Sequence, residues 1–233
     1  MSLSPKDKTG KDVASNIALI RTNISGAELI GDRPSGSVTL VAVSKAREVK
    51  HIALALEEGC RVFGESRVQE ARKKWPELRC KYRDVKLHLI GPLQTNKVSN
   101  AVETFDVIES LDRPKLAARL AEEMARQDRN LPCFVQINTG EEPQKSGVLP
   151  VEADSFIDSC QNCYGLDVVG LMCVPPLHES SALHFAFLKE IAKRNGLSCL
   201  SMGMSQDYQI AIELGATHVR IGTAIFGPRV ATG

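Results

Sequence analysis

The stretch VTLVAVSKAREVK (38–50) runs through the apolar residues Val38, Leu40, Val41, Ala42 and Val43 and then reaches Ser44 and Lys45. An amine at that point has two readings. It caps a strand and reaches water along its own alkyl stem, or it is partly desolvated, which lowers its pKa and leaves a nucleophile for aldehydes. Arg220, in THVRIGTAIFG (217–227), raises a second question, because an arginine inside an apolar run is costly unless it points at a partner. That partner is a structural carboxylate or the nitrogen of a bound heterocycle. Two stretches near the C-terminus, SMGMSQD (201–207) and RIGTAIFG (220–227), combine small residues with hydroxyls: Gly203, Met204 and Ser205, then Gly222 and Thr223. Ser205 suits a helix N-cap, and free N–H groups at helix starts suit a phosphate dianion. Taken singly, each stretch is also ordinary capping and a tight turn.

The elements that must position these groups alternate along the chain. Strand-like runs occupy 38–43, 61–64, 86–90, 106–108, 132–137, 167–171, 198–201 and 217–221. Amphipathic runs follow them, among them KHIALALEEG, RVQEARKKWPEL (with Pro76 limiting its end), RPKLAARLAEEMARQ, EADSFIDSCQN and SALHFAFLKEIAKRNG. Short apolar strands separated by helices imply parallel pairing. Eight strands close a (β/α)8 barrel. The alternative, an open doubly wound sheet, usually carries a glycine-rich turn after its first strand, and here that turn reads VSKARE. The expectation is α/β: one TIM barrel over residues 1–233, with a polar, frayed head at 1–10. A leading helix at 12–31 carries Val13, Ile17, Ile20, Ile24 and Ala27 on one face and ends at Gly31 and Pro34.

A barrel carries its chemistry on the loops at the C-terminal ends of its strands, and the loops after strands 7 and 8 are a frequent phosphate position. Closure sets strand 1 beside strand 8. Lys45 then lies near Gly203, Ser205, Gly222 and Thr223, and Arg220 lies on the neighbouring strand. An amine close to phosphate donors implies an aldehyde that carries a phosphate, with pyridoxal phosphate the leading candidate. Arginine keeps its proton. Facing the ring nitrogen, Arg220 would donate to an unprotonated pyridine, a weak electron sink that supports carbanion chemistry poorly.

The segments AVSKAREV, VFGESRVQEA, LHLIGPLQTNK, QINTGEEPQKSG, GLMCVP and LSMGMSQDYQIAIELGATHVRIGTAIFG resemble the YggS/PROSC family of pyridoxal-phosphate-binding proteins. The likeness runs from about Val38 to Arg229. It implies a fold-type III barrel like the N-terminal domain of alanine racemase, with a Schiff base on Lys45. It also implies phosphate contacts from Ser205, Gly222 and Thr223, Arg220 at the pyridine nitrogen, and Met172 near the ring. One departure stands out: Ser66 and Arg67 replace the asparagine and the aromatic residue usual after Phe-Gly-Glu, which implies altered affinity. The implied role is homeostasis of intracellular pyridoxal phosphate, with delivery to apo-enzymes, and no strong catalysis.

The remaining features bound the alternatives. Twenty-nine Lys and Arg balance 28 Asp and Glu, so nothing in the charge argues for nucleic acid. The start lacks the apolar core of a signal peptide, and no apolar run approaches a membrane span, so a cytoplasmic protein is expected. Large exposed apolar helix faces are not obvious in the pattern, so a monomer is expected. Seven scattered cysteines fit reduced thiols, and CQNC (160–163) lacks a second pair. His178 and His184 are spaced poorly for a metal, so none is expected, and His88 reads as a core residue. A fold-type III racemase pairs its lysine with a tyrosine from a second domain. This chain ends soon after strand 8, and Tyr82, Tyr164 and Tyr208 do not suit that role. A carrier is therefore expected, with no catalytic residues, and a minor racemase or lyase activity at the same site is the alternative. A Schiff-base aldolase would instead need a carboxylate at strand 1 or 2.

Overall fold

The computed structural model describes residues 5–228, with side chains from residue 12; residues 1–4 and 229–233, Arg229 among them, lie outside the described part. In chain order the elements are α1 (Pro5–Ile30), β1 (Thr39–Val43), α2 (Val49–Glu57), β2 (Val62–Glu65), α3 (Val68–Lys81), β3 (Lys86–Leu89), α4 (Val98–Thr104), β4 (Val107–Leu111) and α5 (Pro114–Arg126). Then follow β5 (Cys133–Ile137), α6 (Ala153–Asp158), β6 (Val168–Cys173), α7 (Ser181–Arg194), β7 (Cys199–Ser201), α8 (Tyr208–Glu213), β8 (His218–Ile221) and α9 (Thr223–Phe226). The eight strands form a closed barrel in sequence order. Every neighbouring pair is parallel, and β1 closes on β8 with Val41 opposite Arg220. The open sheet is excluded.

Helix α1 begins at Pro5, so the head expected to fray is helical from that residue onward, seven residues before the expected start at 12. The helix buries Val13, Ile17, Ile20, Ile24 and Ala27, the face read from their spacing. It docks across the closing seam: Asn16 Nδ2 donates to the Ile225 carbonyl, and Asn23 Nδ2 donates to the Tyr208 hydroxyl. Buried Glu28 accepts the Gly36 and Val38 N–H groups and so sets the entry into β1. Helix α3 runs through Pro76 and continues to Lys81, three residues past Leu78, where the run RVQEARKKWPEL ends. The proline lies on the solvent face while Trp75 and Leu78 beside it are buried. The missing hydrogen bond thus falls where water replaces it. CQNC forms a wider-wound turn, Ser159–Cys163, with Cys160 buried and Cys163 exposed.

Side chains alternate across each strand. Ala42, Phe63, Leu87, Val135, Leu171, Leu200 and Val219 face outward into the layer shared with the helices. The inward faces are less apolar than the branched layers usual in such barrels. His88, Phe134 and His218 meet in the lower part, with ring centroids 5.9 Å (His88–His218) and 5.2 Å (Phe134–His218) apart. Above them lie Glu109, Met172, Ser201 and Arg220, all buried. Glu109 owes its place to an irregularity. The register of β4 on β5 shifts between Ile108 and Leu111, both of which pack outward, and Glu109 and Ser110 lie between them.

Burial holds the His218 imidazole at a pKa of about 4, against a partial upward pull from Glu109. Between pH 6.5 and 4 the unfolded chain therefore binds a proton that the folded chain refuses. Stability should fall on acidification by about 1.4 kcal/mol per pH unit across that window. His218→Gln should flatten that slope in urea titrations at successive pH values, whereas an unchanged slope would contradict the reading.

Candidate functional site

A cavity of about 830 Å³ opens at the C-terminal ends of the strands, a volume typical of small-molecule sites. Lys45, Met204, Ser205, Arg220, Gly222 and Thr223 line it together. These residues come from the loops after β1 and β7, from β8, and from the start of α9. Lys45 shares the inward face with Val43, two residues earlier. Ser44, between them, turns outward and donates to Glu65 Oε1 at 2.6 Å.

Arg220 is held from three directions. Its backbone N–H donates to the Gly203 carbonyl at 3.0 Å, its Nη2 to the Cys173 carbonyl at 2.7 Å, and its Nη1 to Ser201 Oγ at 2.7 Å. Ser201 Oγ donates in turn to Glu109 Oε2 at 2.6 Å, and Glu109 Oε1 meets His88 Nδ1 at 2.6 Å. Burial alone would raise the Glu109 pKa. The His88 hydrogen bond and charge, the Arg220 charge and the Ser201 hydroxyl outweigh it and hold the carboxyl at about 2. The guanidinium is therefore a fixed, charged donor at the floor of the cavity, with its counter-charge one hydroxyl away.

The MGMS loop is shaped by Gly203 at φ +90°. A Cβ there would come within 2.6 Å of Ala211 Cβ and 2.9 Å of Tyr208 Cα. Gly203 thus packs against α8 behind the cavity rather than lining it. Ser205 is not the N-cap of α8; Asp207 holds that position. Asp207 Oδ1 accepts the Met204 N–H at 2.7 Å, and Ser205 Oγ accepts the Ala224 N–H at 3.3 Å. Ser205 therefore bridges the loops after β7 and β8. At Gly222 a Cβ would stand 3.3 Å from the Val43 side chain and carbonyl, so a larger residue would crowd the cavity wall.

Two expected residues stand apart from this group. Met172 is buried inside the barrel, level with Gln136 and Ser201 in the sheet, and does not line the cavity. Ser66 backs onto Gly91, where an added Cβ would lie 2.7 Å from its own Cβ, and it also lies off the wall. Lys145 Nζ donates to the Pro175 carbonyl at 3.1 Å and so ties the loop after β5 to the loop after β6. No tyrosine lines the cavity, and the Tyr208 hydroxyl meets Asn23 of α1. Among the described residues no group of three His, Cys, Asp or Glu is placed to hold a metal.

Glu109, Ser201 and Glu65 did not stand out in the sequence. Glu109 and Glu65 read as loop residues, one position beyond their apolar runs. The length of the strands was the available signal, and both strands extend past those glutamates. The donor set fits a phosphorylated aldehyde. It offers an amine, a fixed guanidinium, the hydroxyls of Ser205 and Thr223, and an uncrowded backbone at Gly222.

Comparison with known proteins agrees with this assembly. The family described as "Alanine racemase, N-terminal domain" matches residues 16–230. The chain is 38% identical over 227 residues to the Pyridoxal phosphate homeostasis protein of Pasteurella multocida, covering 93% of this chain and 97% of that one. It is 36% identical over 229 residues to the protein of the same name from Escherichia coli, covering 94% and 97%. A structure of PipY from Synechococcus elongatus with pyridoxal phosphate bound is 33% identical with a TM-score of 0.80, covering 92% of this chain and all of that one. Alanine racemase from Bartonella henselae, 14% identical with a TM-score of 0.73, shares the fold over 96% of this chain and 61% of its own. The chain belongs to the pyridoxal phosphate homeostasis proteins, a family built on the alanine racemase N-terminal barrel.

Proposed function

We propose that this protein binds pyridoxal phosphate in the cavity, holds it as a Schiff base on Lys45, and serves intracellular homeostasis of the cofactor, including its delivery to apo-enzymes. The observation that carries the reading is the convergence of Lys45, Arg220, Ser205 and Thr223 on one cavity wall. The bound PipY relative and the family's name support it.

The chain's own residues divide the work. Ser205, Thr223 and the backbone at Gly222 receive the phosphate. The Lys45 amine holds the aldehyde carbon through a C=N bond, releasing water. Arg220 donates to the ring nitrogen while its other groups stay bonded to Ser201 and Cys173. When bound, the cofactor supplies an electrophilic carbon and a ring able to accept electrons. A nitrogen that only accepts a hydrogen bond weakens that second capacity.

The absence of a tyrosine from the cavity wall supports a carrier over a two-base racemase. The aldolase alternative needs a cavity-facing carboxylate near strand 1 or 2. Glu65 is on β2, but Ser44, Lys74 and Trp75 hold it behind the strand. Residence in the cytoplasm and action as a monomer complete the proposed reading.

Borohydride treatment of the pyridoxal-phosphate-loaded protein should fix the cofactor on the peptide containing Lys45. Lys45→Ala should abolish that adduct, and an adduct that persists in the variant would overturn the assignment. The phosphate contacts have their own readout. The double variant Ser205→Ala, Thr223→Val should bind pyridoxal phosphate about 10- to 100-fold more weakly, the loss of two hydrogen bonds to a charged group. Binding of unphosphorylated pyridoxal should not change. Equal losses for both ligands would remove these hydroxyls from the phosphate site.

A further inference from the structure

Behind Lys45, on the far side of the strand from the cavity, lies a cluster of charged side chains that the cofactor chemistry leaves unused. Glu65 of β2 is fully buried. Its Oε1 accepts from Ser44 Oγ at 2.6 Å and Trp75 Nε1 at 3.1 Å, and it pairs with Lys74 Nζ at 2.6 Å. Lys74, on α3, is largely buried and makes two further contacts. It donates to Glu70 Oε1 at 2.8 Å and to the Ser44 carbonyl at 2.8 Å. An ammonium has three hydrogens, and these contacts use all three. Glu70, one helical turn before Lys74, accepts the Ala46 N–H at 2.6 Å.

The contacts fall on both neighbours of Lys45. Ser44 is gripped by its hydroxyl and its carbonyl, and Ala46 by its N–H. Ala46 also holds φ at +55°, a conformation that costs a non-glycine residue on the order of 1–3 kcal/mol and persists only under outside constraint. The Glu70 bond to Ala46 is such a constraint. Arg47 anchors the loop further along by donating to the carbonyls of Gly227 and Pro228. An isolated strand end would leave the direction of the lysine's Cα–Cβ bond free to vary. A backbone pinned on each side of residue 45 fixes it.

We propose that Glu65, Glu70 and Lys74 form a clasp that sets the backbone at Lys45 so that its amine meets the aldehyde carbon of the bound ligand, which makes them positioning residues for C=N bond formation. The step they favour joins the Lys45 nitrogen to the aldehyde carbon, and the aldehyde oxygen leaves as water with the two amine hydrogens. The clasp touches neither phosphate nor ring. It therefore stabilises only ligands able to form that bond. The inference rests on Lys45 as the Schiff-base residue, as proposed above.

The test compares pyridoxal phosphate with pyridoxine phosphate, which carries an alcohol in place of the aldehyde and forms no C=N bond. Dissociation constants for both are measured on wild type, Glu70→Ala, Glu70→Gln and Lys74→Met, with melting temperatures alongside. Glu70→Ala and Lys74→Met should weaken pyridoxal phosphate about tenfold, the size of one charge-assisted hydrogen bond, and leave pyridoxine phosphate within about twofold. Glu70→Gln keeps an oxygen for the Ala46 N–H and should restore most of the loss. Equal weakening of both ligands, or no weakening of either, would overturn the clasp. Lys45→Ala separates the two levels. If it fails to erase the preference for the aldehyde, the Schiff-base reading itself falls. If it erases the preference while the clasp variants keep it intact, only the clasp falls.

Discussion

The structure depends on a charge buried inside a barrel. Arg220 projects from β8 into a space that other barrels fill with branched apolar side chains. An unpaired guanidinium there would carry a desolvation cost of several kcal/mol. Ser201 and Glu109 relieve it through two short hydrogen bonds, and His88 satisfies the second carboxylate oxygen. Each member of the chain needs the next. Without Glu109, Ser201 and His88 would lose their common acceptor; without Ser201, Glu109 and Arg220 would lose their link. A bulge in β4 delivers the carboxylate, and the short strand β7 delivers the hydroxyl.

That chain sets the character of the site above it. The guanidinium cannot swing toward the phosphate or the aldehyde, because Cys173 and Ser201 hold two of its nitrogens. It cannot pass a proton to a ring nitrogen. The backbone on each side of Lys45 is held from behind, at Ala46 by Glu70 and at Ser44 by Lys74. A site fixed at both ends suits retention of a reactive aldehyde, in keeping with the proposed carrier role. Ser205 Oγ ties the loop after β7 to the start of α9 by accepting the Ala224 N–H.

Much of this was legible in the sequence, for identifiable reasons. The eight strands stood out because buried parallel strands are short, apolar and separated by amphipathic helices, and closure followed from their number. Lys45, Ser205, Gly222, Thr223 and Arg220 stood out because their chemistry conflicts with a plain barrel rim or interior. Glu109 and Glu65 were hidden. A glutamate following an apolar run reads as the first loop residue, and no local pattern announces a bulge or a partner dozens of residues away. Met172 looked like a ring contact, yet it lies buried inside the barrel at the level of Gln136 and Ser201 and does not line the cavity. Pro76 was read as limiting the end of helix α3, close to Leu78, because proline usually ends helices. Here burial of Trp75 and Leu78 overrides that local preference.

The central claim is that Arg220, fixed by Ser201 and Glu109, presents a permanent donor to the ring nitrogen and keeps it unprotonated. The most direct measurement is the ¹⁵N chemical shift of pyridoxal phosphate labelled at the ring nitrogen and bound to the protein. The account predicts a hydrogen-bonded neutral pyridine whose shift holds across the neutral pH range. A pyridinium shift at neutral pH would contradict it.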